Sequence, residues 1–535
     1  MESRNRTGNC IWWAVFAVVL CLQMLTLFYY GNRKAGFHED EYYSYYSSNR
    51  TAGLFEPDRE WMDRDAFRNE FVVLPGEGFN YGLVAMVQSW DVHPPFFYFI
   101  LHTACSLFPG MFSKWLGIGV NMIAFAINFM LLSWLVFMVT DRNKILTLLV
   151  AVVHGWNGVI ISGVMFIRMY EWLTVFVLLC ACLHVHAMKR NEVRFKTFLV
   201  PLMAVTYLGF LTQYYYIIFL FFMAAGFCLW LLIRDRKIGN CIKYGMSCGA
   251  ALGLAVISYP ACLSHIFRGY RGTGAASEFL DTANTGMRLR FFAGLMNEYM
   301  FDGYLWLWLI LIGIMAVILF AGRGKRKEEA FRADIAPYLL LLFTVCGYFF
   351  AVSKTALLLY ETSNRYQLPV YGILLMLVIV ALYGLGRKII NIFSWNDLVN
   401  KVGIGALFVL FLVGDIHGLV TGKVIFLYED DRAQMEYARE NAHETVVVLY
   451  NDITSYNVWW CAQELMQYDR IYFASEGNKE KIEDDHICGS NKMIVYAADH
   501  DTKEESLDML LESNPGLKDY RLISTKSLWS VYEFE

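Results

Sequence analysis

Three consecutive acidic residues stand out as candidates for chemistry, because they follow an apolar segment. Glu39, Asp40 and Glu41 begin the stretch "EDEYYSYYSSNR", shortly after the apolar run 11–30, which is long enough to cross a bilayer. One ionised carboxylate at the bilayer centre costs roughly 2.5–3.5 kcal/mol. The three must therefore face water or an enclosed polar cavity. Two interpretations stay open: a solvated acidic cap on the first span, or a general base, which contributes about 10²–10⁴ in rate.

Further charged and aromatic residues follow in segments that we place on the same side of the membrane. They are Asp91 and His93 in "DVHPP", Arg168 and Tyr170 in "IRMY", Arg365 and Tyr366 in "NRYQLP", and the loop arginines Arg268, Arg271, Arg288 and Arg290. Arginine binds phosphate bidentately, so carboxylates near arginines suggest a phosphate-bearing ligand at the outer interface.

Each of these residues also has a plain structural interpretation. Asp91 would cap a helix that starts at Pro94, and His93 would bond to backbone in the same turn. Arg168 would anchor at the interface, and Arg365 would snorkel to lipid headgroups. The tyrosines at 42, 43, 45 and 46 are typical of an aromatic belt, with stacking on a sugar as the alternative.

The composition indicates a polytopic membrane protein. Of 535 residues, 57% are hydrophobic and only 18% are charged, against about 25% charged in soluble proteins. No basic face with interleaved aromatics points to nucleic acid, and no Cys or His spacing suggests zinc. Cys461 and Cys488 lie in a polar region and are candidates for a disulfide.

Hydropathy predicts about eleven spans, whose order places the basic short loops on one side, the cytoplasmic side. The predicted spans are 10–30, 115–140, 145–164, 170–188, 197–212, 214–233, 240–263, 303–321, 334–352, 367–386 and 402–421. The first extracytoplasmic loop covers about 31–114. Within it, "HPPFFYFILHTACSLF" (93–108) is short for a span, and we expect a half-inserted helix with Pro94 and Pro95 in its first turn.

The composition changes at about residue 422, so we predict two domains, 1–421 and 422–535. In the second, "ETVVVLY", "RIYFA" and "NKMIVYA" are typical of buried strands, and "DDRAQMEYAREN" and "TKEESLDMLLES" of helices. The alternation predicts a small α/β domain with a largely parallel sheet. It has no glycine-rich phosphate loop, so we expect no nucleotide there.

The membrane part resembles a known family. The blocks "DEYYSYY", "DVHPPFFYFILH", "IRMYEWLTVFVLL" and "NRYQLPVYGILLM" look like bacterial glycosyltransferase family 39 members of the GT-C superfamily, which includes protein O-mannosyltransferases and aminoarabinose transferases. The likeness covers about 1–421, with the blocks in the same order. It implies a multi-pass enzyme of the bacterial plasma membrane, with its active site and C-terminal domain outside the cytoplasm.

The resemblance also implies a reaction: transfer of a hexosyl- or pentosyl-type sugar from a polyprenyl-phosphate donor to an acceptor hydroxyl. We expect the acceptor oxygen to attack the anomeric carbon in line, which inverts the configuration. The acceptor would be a glycan, a lipid or a protein. In this pattern Asp40 is the base, and Glu41 is the acidic residue expected next to it in the sequence. Asp91 positions the acceptor or assists the base. No cofactor is required, although Asp40, Glu41 and Asp91 would suit a divalent metal if they converge.

The same pattern makes Arg365 the donor-phosphate contact, helped by Arg168 or a loop arginine. His93, Tyr170 and Tyr366 complete the expected substrate-binding residues. The chain departs from the family where many relatives have an acidic residue and Ala before Arg-Met-Tyr. Phe166 and Ile167 stand there instead, and Glu171 is the nearest substitute.

Three other functions fit a polytopic chain. The main alternative is a transporter or flippase of a lipid-linked or polar substrate, which often has paired halves and charges at mid-membrane. Here the charges concentrate at one face and no repeat is visible, which favours the enzyme. A surface-polysaccharide polymerase or ligase and a non-catalytic binding relative are the remaining alternatives.

Overall fold

The fold comes from a computed structural model, which describes residues 2–49, 61–236, 238–321, 335–451, 457–483, 487 and 489–535. Cys488 and the basic segment predicted at 322–332 lie outside these residues. Contacts divide the chain into two compact units. The membrane unit is Met1–Gly31, Asp91–Phe97 and Ile118–Ile425, and the sheet unit is Asn32–Trp90, Tyr98–Gly117 and Phe426–Glu535. The sheet unit thus contains most of the predicted first loop.

Among the described residues, nine helices are long and apolar enough to cross a membrane, and the number of spans is up to eleven if each of two bent helix pairs is one span. The nine are Cys10–Arg33, Lys114–Val139, Tyr170–Arg190, Phe195–Thr212, Tyr216–Arg234, Ile238–Ser258, Ile335–Thr355, Leu368–Ile392 and Leu398–Val420. The bent pairs are Lys144–Trp156 with Gly158–Met165 and Thr285–Met300 with Leu305–Phe320. The prediction of about eleven spans is confirmed, and the chain is a multi-pass membrane protein.

The 57° bend in the first pair has a local cause. Asn157 ends one helix and caps the next, because its side-chain oxygen accepts from the Val159 N–H. Its amide nitrogen donates to the Met300 carbonyl and to Asp415 Oδ1, both at 2.9 Å. Interhelical bonds of this kind satisfy the backbone and side-chain groups that a break in a membrane helix would otherwise leave unpaired.

Shorter helices connect the spans. The apolar helix predicted at 93–108 runs from Phe96 to Ser106, so Pro94 and Pro95 precede it and do not form its first turn. Other short helices lie at Glu39–Asn49, Arg64–Arg68, Tyr81–Trp90, Ala261–Phe267 and Tyr270–Leu280. A 3₁₀ helix at Tyr360–Tyr366 leads into the span Leu368–Ile392.

The sheet unit contains a mixed six-stranded sheet in the order β1-β3-β2-β4-β6-β5. The strands are β1 Trp61–Met62, β2 Thr445–Tyr450, β3 Ile471–Ser475, β4 Met493–Ala498, β5 Tyr520–Lys526 and β6 Trp529–Phe534. Strands β3, β2 and β4 are parallel, and the other three pairings are antiparallel. The sheet is therefore mixed, and the expectation of a largely parallel sheet is wrong.

The three strands and two helices predicted after residue 422 are all present. The helices are Asp431–Glu440 and Lys503–Glu512, and the short helices Ala462–Leu465 and Lys479–Ile482 are additional. Buried Val447, Leu449, Val495 and Leu510 form part of the core beneath the sheet. The hairpin β5–β6 was not predicted, because β5 is mostly polar and only partly buried.

Candidate functional site

The acidic triplet forms the first turn of the helix Glu39–Asn49, and His38 precedes it in the N-cap position. The His38 Nδ1 atom accepts from the Asp40 N–H at 3.1 Å. The Glu41 carboxylate in turn accepts from the His38 backbone N–H at 2.6 Å. This reciprocal arrangement is a capping box, and it satisfies backbone donors that the start of a helix leaves open. The carboxylates also lie at the end of the helix where negative charge is favourable.

Glu41 is fully engaged in an ion pair. Its Oε2 atom lies 2.9 Å from Lys34 Nζ, and neither side chain has any exposed surface. The same ammonium donates to the Phe426 carbonyl at 2.6 Å. Burial lowers the pKa of Lys34, and the adjacent Glu41 carboxylate opposes that shift. Glu41 therefore fixes the start of this helix, whereas a catalytic role for it stays a prediction.

Asp40 keeps part of its carboxylate in contact with solvent. Its side chain is 27% exposed, and its Oδ2 lies 3.6 Å from His38 Nδ1. Its neighbour Glu39 holds a proton more readily, because burial and the Asp40 carboxylate raise the pKa of Glu39 to about 7. A hydrogen bond from the Trp460 side chain works in the opposite direction. Of the three carboxylates, Asp40 is thus the one placed to meet a ligand.

The tyrosines that follow are mostly core residues. Tyr42 and Tyr45 have no exposed surface and Tyr46 is 3% exposed, so the interpretation as an aromatic belt is wrong for them. The Tyr45 hydroxyl donates to the Ser113 carbonyl at 2.7 Å. Tyr43 is half-buried against Trp459. A membrane-facing belt and a core stripe have the same sequence pattern, so the sequence could not separate them.

The predicted arginines of the membrane unit lie at the ends of spans. Arg168 precedes the span Tyr170–Arg190 and is 4% exposed. Its Nη2 atom lies 2.9 Å from His93 Nε2. Because a guanidinium only donates, His93 Nε2 is the acceptor in this contact. The structure therefore brings together Arg168 and His93, two of the residues predicted to bind substrate.

Arg365 lies between aromatic rings just before the span Leu368–Ile392. Its guanidinium carbon is 5.3 Å from the Phe166 ring centroid and 5.1 Å from that of Tyr366. It also donates to the Tyr366 hydroxyl at 3.2 Å. The side chain is 6% exposed, so Arg365 is buried within the protein. Phe166, where the resemblance led us to expect an acidic residue, supplies a face for this cation.

Aromatic contacts join the segment around Arg168 to the segment around Arg365. The Phe166 and Tyr170 rings stack at 6.1 Å, and Tyr170 meets Tyr366 edge-on at 5.9 Å. Tyr215, which the sequence did not indicate, meets Tyr366 at the same distance. We call Phe166, Tyr170, Tyr215, Tyr366 and Arg365 the arginine–aromatic cluster. A buried guanidinium among rings is a partly desolvated cation, which binds an anion more strongly than an exposed one does.

Asp91 and Glu171 occupy different surroundings. Asp91 is half-buried and lies near Tyr214. Burial of Tyr214 raises the pKa of its hydroxyl, and the negative charge of Asp91 adds to that shift. It does not cap the following helix, which begins only at Phe96, and it directly follows the helix Tyr81–Trp90. Glu171 is 2% exposed inside a span, where its carboxylate accepts from Asn128 at 3.0 Å. That interhelical bond gives Glu171 a packing role.

The loop arginines do not act as a group. Arg288 is 5% exposed and donates to the Ser353 and Ala356 carbonyls and to Glu278, so it fixes its loop against a span. The other three, Arg268, Arg271 and Arg290, are exposed. Within the described residues, no three His, Cys, Asp or Glu side chains form a group that would hold a metal ion. That no cofactor is needed stays a prediction.

Comparison with known proteins identifies the fold. The structure of ArnT from Cupriavidus metallidurans bound to undecaprenyl phosphate matches over 98% of each chain, with a TM-score of 0.55 and 10% identity. The chain has a GT-C fold. At this identity the likeness shows the fold alone, and it agrees with the resemblance seen in the sequence motifs. The GT-C fold also fits the helix count and the C-terminal sheet.

Two further structures are less similar to this chain. Both are of the Archaeoglobus fulgidus oligosaccharyltransferase, one tethered to an acceptor peptide and one in complex with Zn and sulfate. Each has a TM-score of 0.44 and 12% identity, and they cover 96% and 95% of this chain and 73% and 72% of theirs. We draw no conclusion from them. No family model matches the sequence, and neither does any curated protein.

Proposed function

We propose that the protein transfers a sugar from a polyprenyl-phosphate donor to an acceptor hydroxyl on the extracytoplasmic side of a bacterial plasma membrane. The observation that carries this proposal is the placement of Arg365. Its guanidinium is buried among rings at the end of a span, where the phosphate of a membrane-anchored lipid would lie. The same fold in ArnT, whose structure contains undecaprenyl phosphate, supports a donor of this class.

Arg365 would stabilise the leaving group. When the bond between the anomeric carbon and the phosphate oxygen breaks, that oxygen takes the electron pair, and the polyprenyl phosphate gains negative charge. Preorganised donors in a water-poor site stabilise such charge more than water does. Arg168, held by His93, is the second candidate donor, and Tyr170 and Tyr366 would line the donor site.

Asp40 would act on the acceptor. Its carboxylate accepts the hydroxyl proton as the oxygen attacks the anomeric carbon opposite the phosphate, so the configuration inverts. Asp40 suits this role better than its neighbours, because Glu41 is buried in an ion pair and burial favours the protonated form of Glu39. Asp91 stays a candidate for positioning the acceptor. None of these steps needs a protonated leaving-group acid.

The experiment is donor turnover by the full-length protein in nanodiscs. A panel of radiolabelled polyprenyl-phosphate hexoses and pentoses is mixed with crude envelope acceptor, and release of polyprenyl phosphate is measured. We expect turnover of one donor, strongly reduced in Arg365→Gln and unchanged in Arg142→Gln, an exposed arginine at the other end of the spans. No turnover of any donor, together with flux of a labelled lipid-linked sugar across liposomes, would favour the transporter instead.

A further inference from the structure

We propose that a half-buried aromatic surface beside Asp40 binds a sugar ring of the acceptor, so that the acceptor is a glycan. This inference rests on the proposed function and names its acceptor class. The surface consists of His38, Tyr428 and Trp460, and we call it the aromatic platform. All three residues belong to the sheet unit and are partly exposed. Tyr428 and Trp460 come from the C-terminal part of the chain, so the platform would give that part a role in binding the acceptor.

The three rings are in mutual contact. His38 lies 5.1 Å from Trp460 and 6.4 Å from Tyr428, measured between ring centroids. Tyr428 lies 6.2 Å from Trp460, with an angle of 70° between the ring planes. His38 is also the N-cap of the helix that carries Glu39 and Asp40. The platform is therefore adjacent to the first turn that contains the candidate base.

Hydrogen bonds and backbone geometry constrain the residues of the platform. The Trp460 side chain donates to the Glu39 carboxylate, which fixes the orientation of the indole. Tyr428 follows a segment in which the Lys34 ammonium donates to the Phe426 carbonyl and the Ala35 N–H donates to the Leu427 carbonyl. Tyr428 itself has a left-handed backbone, with φ of 47°, which a bulky residue adopts only when its surroundings enforce it. Preorganisation of this kind reduces the cost of binding.

The chemistry of the platform matches a pyranose. One face of a sugar ring presents C–H groups, whose partial positive charge is attracted to the negative face of an aromatic ring. The rim of the sugar presents hydroxyls, which donate to carboxylates such as those of Glu39 and Asp40. A sugar stacked on Trp460 would therefore place a hydroxyl where Asp40 can accept its proton. A purely apolar lipid would have no use for the two carboxylates.

Ordinary core packing does not account for Trp460. Its neighbour Trp459 has no exposed surface and packs against Tyr43, Tyr46 and Phe71, so it already serves the core. Trp460 is partly exposed to solvent, and its side chain donates a hydrogen bond to Glu39. Two adjacent tryptophans thus face different surroundings, one the interior and one the surface next to the candidate base.

The first test is binding of a panel of methyl glycosides of common hexoses and N-acetylhexosamines to the full-length protein in nanodiscs. Saturation-transfer NMR reports which ring protons contact the protein. We expect at least one glycoside to bind through one face. Its affinity should fall roughly tenfold in Trp460→Ala, as for the loss of one aromatic contact. Trp460→Phe should retain binding, as should Trp395→Ala, which removes an exposed tryptophan of the membrane unit.

The second test treats the crude envelope acceptor before transfer is measured. Periodate, which cleaves sugar diols, should abolish incorporation of label, and protease should not. Incorporation that resists periodate and is lost with protease would indicate a protein acceptor and overturn the inference. So would the absence of glycoside binding, or equal binding to wild type and Trp460→Ala. If the donor is still turned over in these cases, only the acceptor class fails, whereas no turnover of any donor counts against the proposed function.

Discussion

The ammonium of Lys34 lies 2.9 Å from the carboxylate of Glu41, and both side chains are completely buried. This pair closes the capping box of the helix that begins at Glu39, so it also determines where Asp40 is held. A buried ion pair stabilises only weakly relative to apolar residues, because both charges are desolvated. Removing one partner is costly, since the other charge is then buried alone.

Removing one partner of this pair should therefore destabilise the protein more than replacing both partners by apolar residues. Lys34→Met should lower the free energy of unfolding by about 3–5 kcal/mol, because Glu41 is left unpaired. The double variant Lys34→Met with Glu41→Leu should recover most of that loss. Thermal unfolding of the detergent-purified proteins measures both effects. Equal destabilisation by the single and the double variant would show that the ion pair is not what Lys34 contributes.

Glu39 should make stability depend on pH. Its pKa in the folded protein is raised to about 7 from 4.5, so the folded protein holds this proton more tightly than the unfolded chain does. Stability therefore falls as pH rises from about 4.5 to about 7 and is level above that, with a total on the order of 3 kcal/mol.

The matched variant is Glu39→Gln, which keeps an oxygen to accept from Trp460 and does not ionise. Its melting temperature should exceed that of wild type by an amount that grows across this pH range and then stays constant. A difference that does not change with pH would show that Glu39 has an ordinary pKa.

Arg365 should contribute to donor affinity through its planar fork of donors. Arg365→Lys keeps the charge but loses bidentate contact and stacking on Phe166 and Tyr366. We expect the KM for the polyprenyl-phosphate donor to rise about 10–100-fold, as for the loss of a hydrogen bond to a charged group. Steady-state kinetics at varied donor concentration measure this. An unchanged KM with normal turnover would remove Arg365 from the donor site.

The spans and the main strands could be predicted from the sequence because each depends on local composition. A run of about 20 apolar residues must cross the bilayer whatever its neighbours are, and β2, β3 and β4 are short apolar runs between turns. The bends could not be predicted as easily. The first depends on Asn157, whose partners Met300 and Asp415 are more than 140 residues away.

The candidate site was predictable in its residue types but not in their division of roles. Three adjacent carboxylates are equivalent in sequence, yet Glu41 is sealed in an ion pair, Glu39 is bonded to Trp460 and Asp40 is open to solvent. Phe166 seemed to be the loss of an acidic residue, and it supplies a ring for Arg365. Such roles arise from contacts between distant segments, which a single sequence does not encode locally.

The central claim is that Asp40 is the base that activates the acceptor, and one comparison tests it directly. Single-turnover transfer from the labelled polyprenyl-phosphate donor would be measured for wild type and Asp40→Asn in nanodiscs. Melting temperature and donor affinity of both proteins serve as controls. We predict a rate about 10²–10⁴-fold lower in Asp40→Asn, with folding and donor affinity unchanged. Equal rates in the two proteins would contradict the account and remove Asp40 as the base.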